Sequence, residues 1–567
     1  MQGHNKSDLH WLYNTRSDLE PPLIFQLNNL KFWFCGTGHR SVEKLLLYVR
    51  IPAELPGDGG NGSSLPRETY LLGLLSPMLG ELSKSYLNSN KNIREKAQFE
   101  AQTAGETVVR RNGIRYDKEE NAYILRINFS VPLVNALSVN AKATVRAVRD
   151  ILEHVEAALK AFDRSEMDLY VRTYERQQEI RRYMQEHGFC VFVANGSILP
   201  RENGTSKPMK KAVLFAAPKE LEITIPLSDG TDIVGMGIRT GVTVITGGGY
   251  SGKSTLLDAI EMGIYDHVPG DGREYVLTDN RALKIYAEDG RPVLELDLAP
   301  FFKYLPGCPD LCEFTTLHAS GSVSQAANIV EAVYGKSKLL LIDEDKSATN
   351  FMIRDKTMRL VVKDEPIIPF TDRVRELYRD KGVSTILVIG AISGYLSYAD
   401  TVLLMEGYLP RVVTEEIRTL SLPETVADEP PASWVKTRRL IPKESTQPFL
   451  YFRSVETENE KKIILDEYSA DITLLTALVS GNQLNTLACV MELLLTDKEA
   501  DNAELLQKVE QCTEKMFIGE KPPSLLPGTA WRFYEEIRPI DAFCCANRMR
   551  GLHFRSNGDG KQELLAR

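Results

Sequence analysis

Along the 567-residue chain the spacing of apolar positions changes period several times, and each change marks an element. Thr107-Val-Val-Arg-Arg-Asn-Gly-Ile114 and Ala122-Tyr-Ile-Leu-Arg-Ile-Asn-Phe-Ser-Val131 read as two strands of a hairpin or meander. From Val139 to Gln185 the spacing turns helical and predicts two helices broken near Phe162-Asp163, with Gly188 as the stop. Phe189 to Ala194 is a short buried strand, and Leu221 to Leu227 alternates as another. A third, Gly241 to Thr246, opens a run of alternating β and α signals to about residue 408. That order is the one a parallel sheet covered by helices requires. Past a Pro- and charge-rich linker, Asp471 to Met516 has helical periodicity, and Trp531 to Arg555 adds another helix.

These patterns predict an α/β N-terminal region, an α/β core with a parallel sheet, and a mainly helical C-terminal domain. The expected divisions are 1–104, 105–200, 201–422, a linker at 423–443, and 444–567. A chain of this length is too long for one compact core. Its 43% hydrophobic and 26% charged content is ordinary for a globular protein. No apolar run approaches the length of a membrane span, which excludes a transporter subunit carrying its own pore. The formal net charge of −9 does not advertise nucleic-acid binding, so any basic surface must be local. The eight cysteines lack zinc-site spacing and read as reduced structural thiols. The N-terminus shows neither a secretory nor a transit-peptide pattern, and by itself points to the cytoplasm.

The chemistry is concentrated after the strand at Gly241. Gly247-Gly248-Gly249-Tyr250-Ser251-Gly252-Lys253-Ser254-Thr255 fits G-x-x-x-x-G-K-[ST], a phosphate-binding loop between strand and helix. Its glycines let backbone N–H groups wrap phosphate oxygens, Lys253 adds a charge, and Ser254 supplies a hydroxyl to Mg²⁺. Ninety residues on, Lys338-Leu-Leu-Leu-Ile-Asp343-Glu344 is an apolar strand ending in two acids. Asp343 is placed to hold the Mg²⁺ shell, and Glu344 to take a proton from an attacking water.

Ser320-Gly321-Ser322 lies upstream of Asp343 where ATP-binding cassette (ABC) ATPases carry Leu-Ser-Gly-Gly-Gln, and Ser347 to Asn350 follows the acids like their D-loop. The core therefore resembles an ABC-type nucleotide-binding domain. Four stretches extend the resemblance to the "predicted ATPase of the ABC class" family. They are Gly247 to Thr255, His267-Val-Pro-Gly-Asp-Gly-Arg-Glu274, Ser320 to Asn328 and Ile342 to Asp355. Ile198-Leu-Pro-Arg201 and Asn547-Arg-Met-Arg-Gly-Leu552 are similar to its flanking motifs, so the likeness covers roughly residues 105 to 555.

The resemblance implies ATP and Mg²⁺ as cofactors and a homodimer in which Ser320 to Ser322 of one copy cap the nucleotide of the other. The family has a kinetoplastid member that binds RNA in mitochondria with RNA-editing complexes. By that likeness the expected partners are RNA and proteins of an RNA-processing complex, and the expected location is the mitochondrion. Lys207, Lys210 and Lys211, the cluster Lys436, Arg438 and Arg439 beside Trp434, and Arg548 and Arg550 are the candidate RNA contacts. The arginines at 164, 172, 176, 181 and 182 read instead as a solvated helix face.

Two departures bear on rate. No Gln lies between Ser254 and Ser324, and Asp297, at the end of an expected strand, is the candidate for that sensor and for a metal contact. After Ser384 to Val388, where a switch His is expected, there are only Ile389, Gly390, Ala391, Ile392 and Ser393. Each missing positioning group costs on the order of 10²-fold in rate, so hydrolysis is expected to be slow. An RNA-clamping ATPase, a switch acting on a protein partner and a non-hydrolysing ATP-dependent scaffold all fit; a small-molecule P-loop kinase fits less well.

Overall fold

The computed structural model describes residues 24–36, 44–53, 63–88, 96–135, 138–354, 356–420, 430, 432, 434, 438–441, 455–458, 461–466, 468–496, 500–518 and 531–556. Two compact units emerge: Met1–Glu175 with Cys512–Glu536, and Arg176–Gln511 with Ile537–Arg567. The boundaries expected at 104 and 200 fall inside these units, because strand pairing joins residues far apart in sequence.

In the first unit, β1 (Phe25–Leu27), β2 (Leu30–Gly36), β3 (Lys44–Pro52), β4 (Gln98–Ala101), β5 (Ile114–Asp117) and β6 (Ala122–Ser130) form one antiparallel sheet. A short ribbon, β7 (Leu133–Asn135) and β8 (Ser138–Val139), follows. Central β6 pairs with β3 along its whole length. Helices Ser64–Leu87 and Ala141–Lys160 bury Leu72, Leu75, Ile151 and Leu152 with Leu125 and Ile127 in one core. Asn140 caps the second helix, its side chain accepting from Ala143 N at 3.1 Å.

Thr107 to Gly113, expected as a strand, is not one. Its backbone bonds instead to a distant segment, with Glu536 N donating to Arg110 O at 2.9 Å and Asn112 N to Tyr534 O at 3.3 Å. Buried Arg111 pairs with Glu535 at 2.8 Å, and the Arg126 guanidinium lies over the Phe533 ring. Hydropathy shows a β-like stretch but not which backbone completes it. The helix break at 162–163 is where the pattern placed it: Ala141–Lys160 is followed by Arg164–His187, and Gly188 takes φ +71°.

The second unit begins with β9 (Phe189–Ala194), β10 (Glu222–Pro226) and β11 (Asp232–Arg239), then β12 (Val242–Gly247), β13 (Val276–Thr278) and β14 (Ala282–Ile285). After the antiparallel ribbon β15 (Val293–Leu296) and β16 (Phe314–Thr316) come β17 (Leu339–Asp343), β18 (Ser384–Val388), β19 (Thr401–Glu406) and β20 (Leu409–Val412). The core sheet has order β14-β17-β18-β12-β19-β20, parallel except for the edge strand β20. Strands β10, β11, β9 and β13 make a second, antiparallel sheet.

The parallel strands are near-continuous Val, Ile and Leu because helices cover both faces of such a sheet. Helix Lys253–Met262 buries Leu256, Leu257 and Ile260, and helix Gly321–Tyr334 buries Ala326, Ile329 and Val330. Toward the C-terminus, strands at 438–441, 455–458, 462–465 and 468–471 accompany helices Gly481–Thr496, Asn502–Ile518 and Pro539–Arg548. No helix among the described residues is long and apolar enough to cross a membrane.

Candidate functional site

The loop after β12 is shaped by positions where a side chain is excluded. Gly247 has φ +144°, and a Cβ there would sit 2.6 Å from Met405 O. Gly252, at φ +97°, caps helix Lys253–Met262, with Tyr408 packed 3.3 Å from where its Cβ would be. Between them, a Cβ on Gly248 or Gly249 would meet nothing within 4 Å, which leaves an open concavity over the helix N-terminus. Lys253 folds back across it, its Nζ donating to Gly247 O at 2.8 Å and Gly248 O at 2.7 Å. Ser254 is exposed, Tyr250 fully so, and the Ser251 hydroxyl is buried without a hydrogen-bond partner among the described residues. Open glycines at a helix N-terminus, an ammonium folded over them and an orphaned hydroxyl fit a polyphosphate.

Sheet register brings the acids to this loop. Val388 on β18 lies opposite both Ile245 on β12 and Asp343 on β17, so the strand-end acids and the phosphate loop leave the same edge of the sheet. Buried Asp343 accepts from Asp345 N at 3.1 Å. Burial, with the nearby Asp345 and Asp258 charges, pushes its carboxyl above the usual range; Lys284 works against the shift. A divalent cation would offset that cost, so the donor fits Mg²⁺. Glu344 is held differently. Its Oε2 accepts from Gly390 N at 2.7 Å, Ala391 N at 3.0 Å and Ile392 N at 3.3 Å.

Ser320 is exposed at the N-cap of helix Gly321–Tyr334, and its side chain caps nothing. A Cβ on Gly321 would lie 3.2 Å from Asp289 Oδ1. Ser322 differs from the expectation: it is buried, its hydroxyl donating to Asn350 Oδ1 at 2.7 Å. Gln325 bonds Ser347 Oγ at 2.9 Å and Ala348 N at 2.8 Å, so this helix start and the segment after the acids are one hydrogen-bonded piece.

Other candidates are relocated. The strand beside β17 is β14, and it is followed by Tyr286-Ala287, where Ala287 N donates to Lys346 O at 3.0 Å. Asp297 instead follows β15 on the separate ribbon and accepts from Ala299 N at 3.0 Å. A strand-end acid in sequence need not belong to the central sheet.

Trp434 is buried edge-on against Phe301 and offers no face to a base. Buried Arg548 pairs with Glu288, so its guanidinium is not available to phosphate, and half-buried Arg550 donates at 2.8 Å to both Leu317 O and Gly290 O. On the charged helix, Arg176 pairs with Asp229 at 2.6 Å and Arg181 with Asp266 at 2.8 Å. Lys207, Lys210 and Lys211 are exposed, and among the described residues their side chains make no ion pair. Lys436 and the side chains of Arg438 and Arg439 lie outside the described residues.

Sequence reasoning missed a buried network behind helix Gly321–Tyr334. Arg291 pairs with Glu331 at 2.6 Å, Arg548 with Glu288, and Asn328 donates to Glu288 Oε1 at 2.9 Å. Burial raises the Glu288 carboxyl, but Arg548 and Arg291 outweigh it and hold it below the usual range. The flanking motifs are ties of the same kind. Arg201 donates to Asp271 Oδ2 at 2.7 Å, and Arg273 to Leu199 O at 2.9 Å.

Residues 163–438 match the family model ABC_ATPase, described as a P-loop domain. An uncharacterised protein of Methanocaldococcus jannaschii, MJ1628, is 32% identical over 230 residues, covering 38% of this chain; the chain spans about half the length of that relative, 50%. Among solved structures, CbiO1 from Clostridium perfringens, part of the ABC transporter complex CbiONQ, aligns at 16% identity and TM-score 0.24, over 39% of this chain and 87% of its own. The ADP conformation of MJ1267, an ATP-binding cassette of an ABC transporter, aligns at 14% and 0.25, over 41% and 93%.

Proposed function

We propose that the chain is an ATP·Mg²⁺-dependent ATPase that acts as a homodimer and binds or remodels RNA. The observation that carries the nucleotide reading is the shared sheet edge, which presents the open loop Gly247 to Thr255 beside Asp343 and Glu344. Lys253 exchanges the loop carbonyls for phosphate oxygens when a nucleotide enters. Ser254 and Asp343 would hold a Mg²⁺, which would supply charge neutralisation at the phosphates. Glu344 is the base for the attacking water.

The exposed Ser320 side chain caps nothing among the described residues, so Ser320 and Gly321 are the part offered to the nucleotide of a second copy. ATP then bridges two chains, and its hydrolysis removes the bridge. The RNA reading rests on the family resemblance and on the unpaired Lys207, Lys210 and Lys211, and places the protein in mitochondrial RNA editing or processing. Met209, Val213 and Leu214 are exposed beside those lysines and favour, as a second reading, a switch acting on a protein partner.

Light scattering of the Glu344→Gln chain tests these readings together. ATP·Mg²⁺ is expected to double its mass, and RNA to add a further increment that Lys207, Lys210 and Lys211→Gln reduces. A mass unchanged by ATP removes the dimer. RNA indifference at low salt, with ATP-dependent capture of a protein that survives nuclease, selects the partner switch.

Asp343 gives a pH-dependent expectation. Its folded-state carboxyl is raised, so the stability it contributes is present when protonated and lost as pH rises through that raised value. At neutral pH the ionised, buried group is a cost that Mg²⁺ offsets. Asp343→Asn is therefore expected to raise the melting temperature without nucleotide and to abolish the added stabilisation by ATP·Mg²⁺, read by calorimetry at pH 7. A variant melting lower than wild type without nucleotide contradicts this.

A further inference from the structure

We propose that the main-chain amides of Gly390, Ala391 and Ile392 form the site that senses the terminal phosphate of a bound nucleoside triphosphate, with Glu344 occupying it until that phosphate arrives. This rests on the nucleotide reading above. Three successive N–H groups converge on one carboxylate oxygen at 2.7, 3.0 and 3.3 Å. Convergent amides form an anion-binding concavity, and its present anion belongs to the chain itself.

Location points the same way. Ile389 N donates to Ile245 O at 2.9 Å, and Val388 is paired with Ile245, so Gly390 stands level with Gly247 one strand away. The concavity therefore adjoins the start of the phosphate loop. No side chain there reads charge, since Gly390, Ala391, Ile392 and Ser393 carry none. Gly390 and Ala391 are exposed, so their amides are open to an incoming anion.

While the three donors hold it, Oε2 is committed to the main chain, and only Oε1 of Glu344 is left to take a proton from water. A terminal phosphate carries more charge than a carboxylate and competes for the same donors. Its arrival transfers the amides to phosphate oxygen and frees Glu344 to act as the base. A nucleoside diphosphate lacks that group and leaves Glu344 tied. The main chain thus performs the discrimination for which the sequence supplies no histidine.

Amide hydrogen exchange reads this directly. Without nucleotide, amides 390–392 are expected to exchange at least about tenfold faster in Glu344→Ala than in wild type. ATP·Mg²⁺ restores their protection in that variant and ADP·Mg²⁺ does not. The measurement is made at a concentration where light scattering reports monomers, so that burial against a second copy does not contribute. Gly390→Pro removes the nearest donor at a position where an added Cβ meets nothing within 4 Å. It is expected to lower the ATP-to-ADP affinity ratio about tenfold with ADP affinity unchanged. Unchanged exchange in Glu344→Ala, or ATP that binds by fluorescence titration yet leaves these amides exposed, overturns the assignment while the ATPase reading stands. A wild-type chain that binds no ATP overturns both.

Discussion

Glu344→Gln is expected to reduce ATP turnover by roughly 10²–10⁴-fold while leaving ATP·Mg²⁺ binding intact, because it removes a general base and little else. The carboxamide oxygen still accepts from the amides of Gly390, Ala391 and Ile392, so the strand end keeps its geometry. What changes is proton affinity: a carboxamide cannot take the proton that leaves the attacking water. Single-turnover phosphate release gives the rate, and titration with a fluorescent ATP analogue gives the affinity. Equal turnover in variant and wild type moves the base elsewhere. No turnover in either leaves ATP as the cement of a scaffold, with Glu344 tied permanently by its three donors.

Arg548→Ala is expected to cost about 3–5 kcal/mol in the second unit, since it strips the partner from a buried carboxylate. Arg548 pairs with Glu288 and donates to Asn328 Oδ1 at 2.9 Å and Cys544 O at 2.9 Å, all with little solvent access. In Arg548→Ala, Glu288 keeps the Asn328 hydrogen bond and the Arg291 charge but loses its ion-pair partner, so the buried carboxylate is under-compensated. Replacing both partners, Glu288→Leu with Arg548→Leu, removes that penalty and is expected to cost less than the single change. Scanning calorimetry with the two units' transitions separated is the measurement, because a two-unit chain has no single unfolding step. A double variant melting below the single would show that the ion pair itself, not the orphaned charge, sets the stability. Asn328 and Glu331 belong to helix Gly321–Tyr334, so loosening of Ser320 and Gly321 should accompany the loss.

The phosphate loop was legible because its chemistry is local: two glycines at positive φ, a lysine and a hydroxyl lie within eight residues of chain. The acids were legible because a parallel strand buried on both faces ends abruptly when it meets polar residues. The tie between Glu344 and Gly390 was not, since it joins residues 46 apart through main-chain atoms that carry no residue identity. Asp297 shows the opposite error. It follows an apolar strand as Asp343 does, but hydropathy cannot say which sheet a strand joins. Trp434 and Arg548 looked like nucleic-acid contacts in one dimension, and packing turned both inward.

By itself the amino-acid order determined that residues from about 241 to 408 form a helix-covered parallel sheet with a phosphate loop, because hydrophobic period and turn glycines act over a few residues. It also determined that the usual γ-phosphate side chains are absent. Only the tertiary structure decided which charges are structural, and that residues 512–536 complete the first unit. Those outcomes depend on contacts between distant backbone segments, where burial and register, rather than residue type, choose the partner.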